Sequence, residues 1–348
     1  MRAIGSVLVG VLLAAGMPST SALGLPQGTE ARVWATGLNS AIHMAWVPGT
    51  NKVFVTQKGG AIRVIKGGTV LDRPCARLDV NQSGERGLLG LALHPRFKSN
   101  HYLYVYYTNR DPLDNRVARF KVRNDRCRDR KVIVKGLDAD SSGYHNGGQI
   151  EFVNGKLFVA VGDAHDPARA QNTGAREGKI LRVNPDGSIP SDNPFGNAVW
   201  SYGHRNPFGL TSKPGSGRIY SSENGPSCDD ELNLIKRGRN YGWGPGYDCG
   251  TRGVGEDPKG PLVRWGSIIV PTDPGWYSGR MKALSGDLYM GDFGNGDLHR
   301  FVMNDRGTRV RDDRVIHNAG APIVDVAEGP GGWLYYVTFN AIYRIVKT

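Results

Sequence analysis

Six segments of this chain repeat one pattern, and that recurrence narrows the choice of fold more than any other feature. Each runs from an apolar stretch through a Gly/Pro/Asn turn into an alternating aromatic strand, then through a second turn to a strand ending near Arg or Lys. The segments begin at Met44, Leu91, Ile150, Leu210, Met281 and Val326, at spacings of 47, 59, 60, 71 and 45 residues. A loose period of about fifty residues with about four short strands per unit is the signature of a β-propeller. A β-sandwich would not need the recurrence. The expected fold is therefore all-β: a six-bladed β-propeller of four-stranded antiparallel blades. The last repeat ends close to the C-terminus, so its outer strand is expected from the region around Ala31–Leu38, closing the ring and removing a sheet edge.

Composition agrees with many strands and turns. The 49 Gly and 20 Pro are spread along the chain as punctuation rather than clustered, and the 39% hydrophobic content suffices for a sizeable core. No linker interrupts the repeats, so one propeller domain is expected over 23–348.

The first residues read as an export signal. Arg2 gives a positive start, Ile4–Ala15 is mostly apolar, and Thr20-Ser21-Ala22 is a plausible cleavage site. The apolar run is short for a bilayer span, and no later stretch is long and apolar enough for one. A signal peptide at 1–22 implies a secreted or periplasmic protein. Its removal lowers the net charge from +12 to +11. In that setting a basic surface suits an anionic cell-wall or glycan surface better than nucleic acid. It is equally the property of a merely solvated surface, because the Lys and Arg are scattered. Export also favours disulfides. Four Cys allow three connectivities. Pairing sequence neighbours gives Cys75–Cys127 and Cys228–Cys249, and the absence of CxxC spacing argues against zinc.

Three places carry residues suited to chemistry. His145 stands just before a predicted strand, where an imidazole can take a proton from a hydroxyl. Asp163 follows the next strand, so antiparallel pairing would bring it near His145 to fix the tautomer. A loop His that only caps backbone fits the spacing equally well. Arg205, in Tyr202-Gly203-His204-Arg205-Asn206-Pro207-Phe208, could hold a carboxylate or polarise a carbonyl, or pair with a structural Asp. Glu223-Asn224-Gly225-Pro226 followed by Asp229-Asp230-Glu231 offers clustered oxygens of the kind calcium takes, although acids in surface turns are commonly only solvated. Trp243, Trp276 and Tyr277 lie in Gly/Pro-rich stretches, where they would either stack on a sugar or pack turns.

Taken together, GLLGLALHPRF, HNGGQIEF, VGDAHD, GKILRVNPDGSIPSDNPF, YGHRNPFGL, ENGPSCDDELNLIKRGRNYGW and GPGGWLYYV resemble, in order, the glucose/sorbosone dehydrogenase family. That family includes soluble aldose dehydrogenases that use pyrroloquinoline quinone (PQQ) on a six-bladed propeller. The resemblance implies oxidation of a sugar C1 hydroxyl to a lactone, with electrons passed to an external acceptor. His145 would be the general base and Asp163 its orienting carboxylate. Arg205, Asn206 and Glu85 would lie beside the quinone. Gly225 and Pro226 would hold calcium through their carbonyls, with Asp230 and Glu231 close by.

The chain departs from the family pattern at several cofactor positions. Phe208 and Glu85 stand where the family has Gln, Gly294 lies where it has Lys, and Pro322 and Val324 align with two Arg. PQQ bears three carboxylates, and each lost charged hydrogen bond is worth about 1.5–3 kcal/mol. Arg300, Arg309 and Arg311 are the cations that could replace them. Two other readings follow: a calcium-containing propeller that lost PQQ and binds a glycan or protein, and a calcium-dependent lactonase. The latter should show several carboxylates converging on one central metal, a pattern not visible in the sequence.

Overall fold

The computed structural model describes residues 24–348, so the expected signal peptide at 1–22 lies outside the described residues. The chain adopts an all-β, propeller-like fold. Its sheets follow one another along the sequence. The first holds Ala41–Trp46, Lys52–Gln57, Ala61–Lys66 and Thr69–Val70, with Ala76–Arg77 also paired to the third of these. The second holds Leu88–Leu93, Tyr102–Asn109, Asp114–Arg123 and Arg126–Asp138. The third contains Ile150–Val153, Lys156–Val161, Lys179–Val183 and Val199–Tyr202; the fourth contains Pro207–Ser212, Ile219–Glu223, Asp230–Ile235 and Val263–Trp265.

The remaining strands form one eight-stranded sheet. Two antiparallel halves, one led by Pro271–Tyr277 and the other by Ile323–Gly329, are joined by a single parallel pairing of Asp273 with Asp325. The second half is completed from the N-terminal region: Thr29–Thr36 pairs antiparallel with Ala341–Lys347. This pairing covers what would otherwise be an open sheet edge.

Local chemistry explains the hairpins. Between Ile150–Val153 and Lys156–Val161 the chain turns on Asn154 (φ 49°) and Gly155 (φ 74°), the Asn-Gly pair that two-residue hairpins with left-handed turn residues prefer. The second strand of each sheet is buried on both faces, as in Lys156–Val161, because apolar neighbours flank it on both sides. Leu89, Tyr104 and Tyr106 of the second sheet pack against Ile150, Leu157 and Val159 of the third. Outer strands such as Arg126–Asp138 are mostly solvated.

The leading strands, beginning at Ala41, Leu88, Ile150, Pro207, Pro271 and Ile323, lie beside one another in that order, and the last lies beside the first. Two opposite faces result. One gathers the loops that enter the leading strands, together with the loops that leave the second strands. The other gathers the far ends of the leading strands.

Two disulfides fasten loops to this frame. Cys75 is bonded to Cys127, tying the end of the first sheet to the outer strand of the second. Cys228 is bonded to Cys249, holding the long loop that precedes Val263–Trp265.

Candidate active site

His145 and Asp163 sit on the entry face, on either side of the Ile150–Val161 hairpin. His145 Nδ1 lies 2.7 Å from Asp163 Oδ1, and both side chains are buried. Each group is held by further contacts. Asp163 Oδ2 accepts from Trp243 Nε1 at 2.7 Å, and Oδ1 accepts from the His165 amide at 2.9 Å. The His145 amide donates to Glu85 Oε2 at 2.9 Å. His145 has φ 53°, uncommon for a residue with a side chain and often a mark of a functional loop. The approach of the two loops also depends on Gly162, where a Cβ would come within 2.0 Å of the His145 carbonyl oxygen.

Arg205 and Asn206 flank the pair. Asn206 Nδ2 donates to Glu85 Oε2 at 3.1 Å, and its Oδ1 accepts from the Gly147 amide at 3.0 Å. Glu85 thus braces His145 and Asn206 together. Arg205 NH1 donates to the Asn224 carbonyl at 2.9 Å, and the guanidinium lies 5.4 Å from the Trp243 ring. Burial lowers the Arg205 pKa, opposed by the charges of Asp163, Glu85 and Glu223. Its Nε is buried with no partner, as is Asn224 Oδ1. A cavity of about 20 Å³ lies between Arg205, Asn224, Gly225, Pro226, Trp243 and Tyr247. An unsatisfied guanidinium N–H and an unsatisfied amide oxygen beside a cavity fit an anionic or quinone oxygen together with a cation.

The acids beyond the turn have hydrogen-bond partners of their own. Asp230 Oδ1 accepts from the Gly225 amide, and Oδ2 accepts from the Ile269 and Val270 amides. Glu231 accepts from Asn233 and pairs with Arg264 at 3.2 Å. Burial raises the Asp230 pKa, and it pushes Glu231 up to about 7. Glu223, Asp229 and Glu231 line the cavity together with Asn224, Gly225 and Pro226.

The positions of departure differ among themselves. Gly294 is exposed and Pro322 half-buried, both near the face. Val324 is 2% exposed, within an apolar cluster, and with Phe208 it lines a small internal cavity on the axis. Arg300 is held by Asp287, which pairs with Tyr277 at the far end of its leading strand, and Arg311 is near Asp305 at 3.9 Å.

Two aromatic readings change. Trp276 and Tyr277 belong to the leading strand Pro271–Tyr277 and are buried, Trp276 stacked on Tyr220. Strand pairing draws them inward despite the Gly and Pro around them. Trp243, by contrast, touches both Asp163 and Arg205. Glu223, expected only as one of the clustered oxygens, instead accepts from the Arg205 amide and meets His204 Nδ1 at 2.8 Å. The GHRNP and ENGP stretches were the available signal, since both residues lie in them.

Comparison with known proteins places the chain's similarity in one family. The sequence model of the Glucose / Sorbosone dehydrogenase family matches residues 38–347. The chain is 29% identical to aldose sugar dehydrogenase YliI of Escherichia coli, across 87% of this chain and 88% of that protein. A putative oxidoreductase (glucose dehydrogenase) of Thermus thermophilus superposes with a TM-score of 0.82 at 33% identity, covering 92% of this chain and all of that one. The PQQ-bound aldose sugar dehydrogenase of Streptomyces coelicolor superposes with a TM-score of 0.81 at 29% identity, covering 92% and 98%.

Proposed function

This chain belongs to the glucose/sorbosone dehydrogenase family, and from that membership we propose that it is a quinoprotein sugar dehydrogenase converting an aldose to its lactone. The observation that carries the reading is the His145–Asp163 pair standing beside an Arg205 guanidinium with an unsatisfied N–H. With Nδ1–H donated to Asp163, the imidazole keeps a lone pair on Nε2. His145 Nε2 then takes the proton of the sugar C1 hydroxyl as the C1 hydrogen leaves with its electron pair and C1 becomes a carbonyl. The chemistry required of a bound cofactor is that of a two-electron acceptor for this hydride, which PQQ would supply, with calcium as its electrostatic partner. Arg205 and Asn206 would hold it, and the carbonyls of Gly225 and Pro226 with Asn224 Oδ1 would hold the cation. Asp163 stabilises the imidazolium, and Glu85 keeps the His145 loop and Asn206 in register. Electrons leave to an external acceptor.

The same reading takes the eight-stranded sheet as two blades, giving six around the axis within one domain over 23–348. Paired cysteines and the N-terminal sequence support a secreted or periplasmic location. No helix among the described residues is long and apolar enough to cross a membrane.

The test is titration of purified apo-protein with PQQ and calcium, followed by dye reduction with a panel of aldoses. Reduction that requires both additions supports the proposal. Binding of neither, with no turnover on any aldose, overturns it in favour of a glycan- or protein-binding propeller.

A further inference from the structure

On the face away from His145, the far ends of the leading strands surround a funnel of about 440 Å³. At its floor, three side chains from three separate sheet segments converge. His43 comes from Ala41–Trp46, Asp273 from Pro271–Tyr277 and Asp325 from Ile323–Gly329. His43 Nδ1 lies 3.2 Å from Asp273 Oδ2 and 3.1 Å from Asp325 Oδ2, and one ligand atom from each residue lies within 4.8 Å of the others. We propose that this floor is a binding site for a first-row divalent metal cation, with His43, Asp273 and Asp325 as its protein ligands.

The spacing suits a coordination shell. Nitrogen and carboxylate ligands stand ~2.1 Å from such a cation, which puts neighbouring ligands roughly 3.0–3.4 Å apart. The carboxylates are held in place: the Met44 amide donates to Asp325 Oδ2 and the Leu210 amide to Asp273 Oδ1, each at 2.7 Å, and Gln149 Nε2, 2.7 Å from His43 Nδ1, donates to Asp273 Oδ2 at 2.6 Å, a contact the cation would displace. Supporting contacts of this kind fix metal ligands. Asp325 is fully buried, and its Oδ1 has no hydrogen-bond partner. An unpartnered buried carboxylate oxygen is costly, and although Oδ2 is the oxygen that meets His43, a cation held by both oxygens of Asp325 would satisfy Oδ1 as well.

Charge and access point the same way. Two buried carboxylates meet one imidazole, within a chain of net charge +12. Glu151 and Glu328 also line the funnel, so its wall attracts cations. On the side of Phe208 and Val324, His43, Gln149 and Asp273 also line a cavity of about 10 Å³, room for about one water. The wider approach to the site is the funnel. One imidazole nitrogen with two carboxylates is a mixed donor set suited to zinc, cobalt or manganese, whereas calcium takes six to eight oxygens.

The experiment needs neither PQQ nor sugar, so its outcome is independent of the dehydrogenase reading. Chelator-stripped wild-type protein is titrated with Co²⁺, followed by visible absorption and calorimetry, with Zn²⁺ as competitor. One equivalent that Zn²⁺ displaces is expected, with affinity falling at least ~10-fold in His43→Gln and in Asp325→Asn. Asp297→Asn, in another acid–histidine cluster, should bind as the wild type does. Absence of binding at millimolar metal, equal binding by the two ligand variants, or binding of Ca²⁺ but not of Co²⁺ or Zn²⁺ overturns the proposal. Should a variant not fold, anomalous diffraction from zinc-soaked wild-type crystals decides: a peak between His43 and Asp325 supports the site, and no peak there overturns it.

Discussion

His145 Nδ1 and Asp163 Oδ1 are 2.7 Å apart across a single hairpin, and the other Asp163 oxygen is held by Trp243 from a loop 80 residues further on. The carboxylate is thus clamped from two directions, which fixes the imidazole tautomer without relying on the flexibility of either loop. A base held this way has its lone pair directed before the substrate arrives.

His145→Ala is expected to cut sugar oxidation by roughly 10²–10⁴-fold, the usual scale for a general base. PQQ binding should survive, because Arg205 and the Gly225–Pro226 turn are untouched. Unchanged turnover would remove His145 from the mechanism.

Cofactor affinity should depend steeply on calcium, since Phe208, Gly294, Pro322 and Val324 supply no positive charge. Chelation is expected to abolish PQQ binding rather than only slow catalysis. Pro322→Arg, at a half-buried position, should tighten binding in calorimetry. Val324→Arg should instead lower stability by several kcal/mol in urea melts, because the position is 2% exposed in an apolar cluster and would bury a guanidinium. Tight binding by wild type in the presence of chelator would contradict this account.

His299 provides a pH-dependent stability term. Burial lowers its pKa, but Asp292, 3.1 Å from Nε2, and Asp313 raise it further, to about 9. The folded pKa exceeds the unfolded value of 6.5, so the charged pair stabilises fully below pH 6.5. That contribution, at most about 3 kcal/mol, is lost as pH rises through about 9. The stability gap between wild type and His299→Gln should be larger at pH 6 than at pH 10. A gap that widens with pH would refute the assignment.

The two disulfides close loops of 21 and 52 residues, for which chain entropy predicts about 3 and about 4 kcal/mol. Replacing Cys228 and Cys249 with Ser should lower stability by up to that smaller amount. It should also raise KM, since the loop they hold carries Trp243. The Cys75–Cys127 replacement should destabilise without that kinetic effect. Equal kinetic effects from both pairs would disconnect the Trp243 loop from the site.

The recurrence of turn, aromatic strand and turn was enough to specify an all-β propeller-like chain, because each hairpin is encoded locally. Asn154-Gly155 sets its own turn, and a turn of that kind brings His145 and Asp163 together over 18 residues. The edge-covering strand, expected around Ala31–Leu38 and found at Thr29–Thr36, was readable from the ring's need to cover an open sheet edge rather than from any local turn. Contacts between sheets left no such trace. Trp243 reaches Asp163, Trp276 turns into the core, Val324 packs away from solvent, and His43 meets Asp273 and Asp325 only because the leading strands close around one axis. His43 and Asp325 are far apart in sequence, in segments whose local pattern reads simply as a buried strand. Their convergence depends on the registers of separate sheets packed side by side, a property of the assembled ring that no single repeat contains.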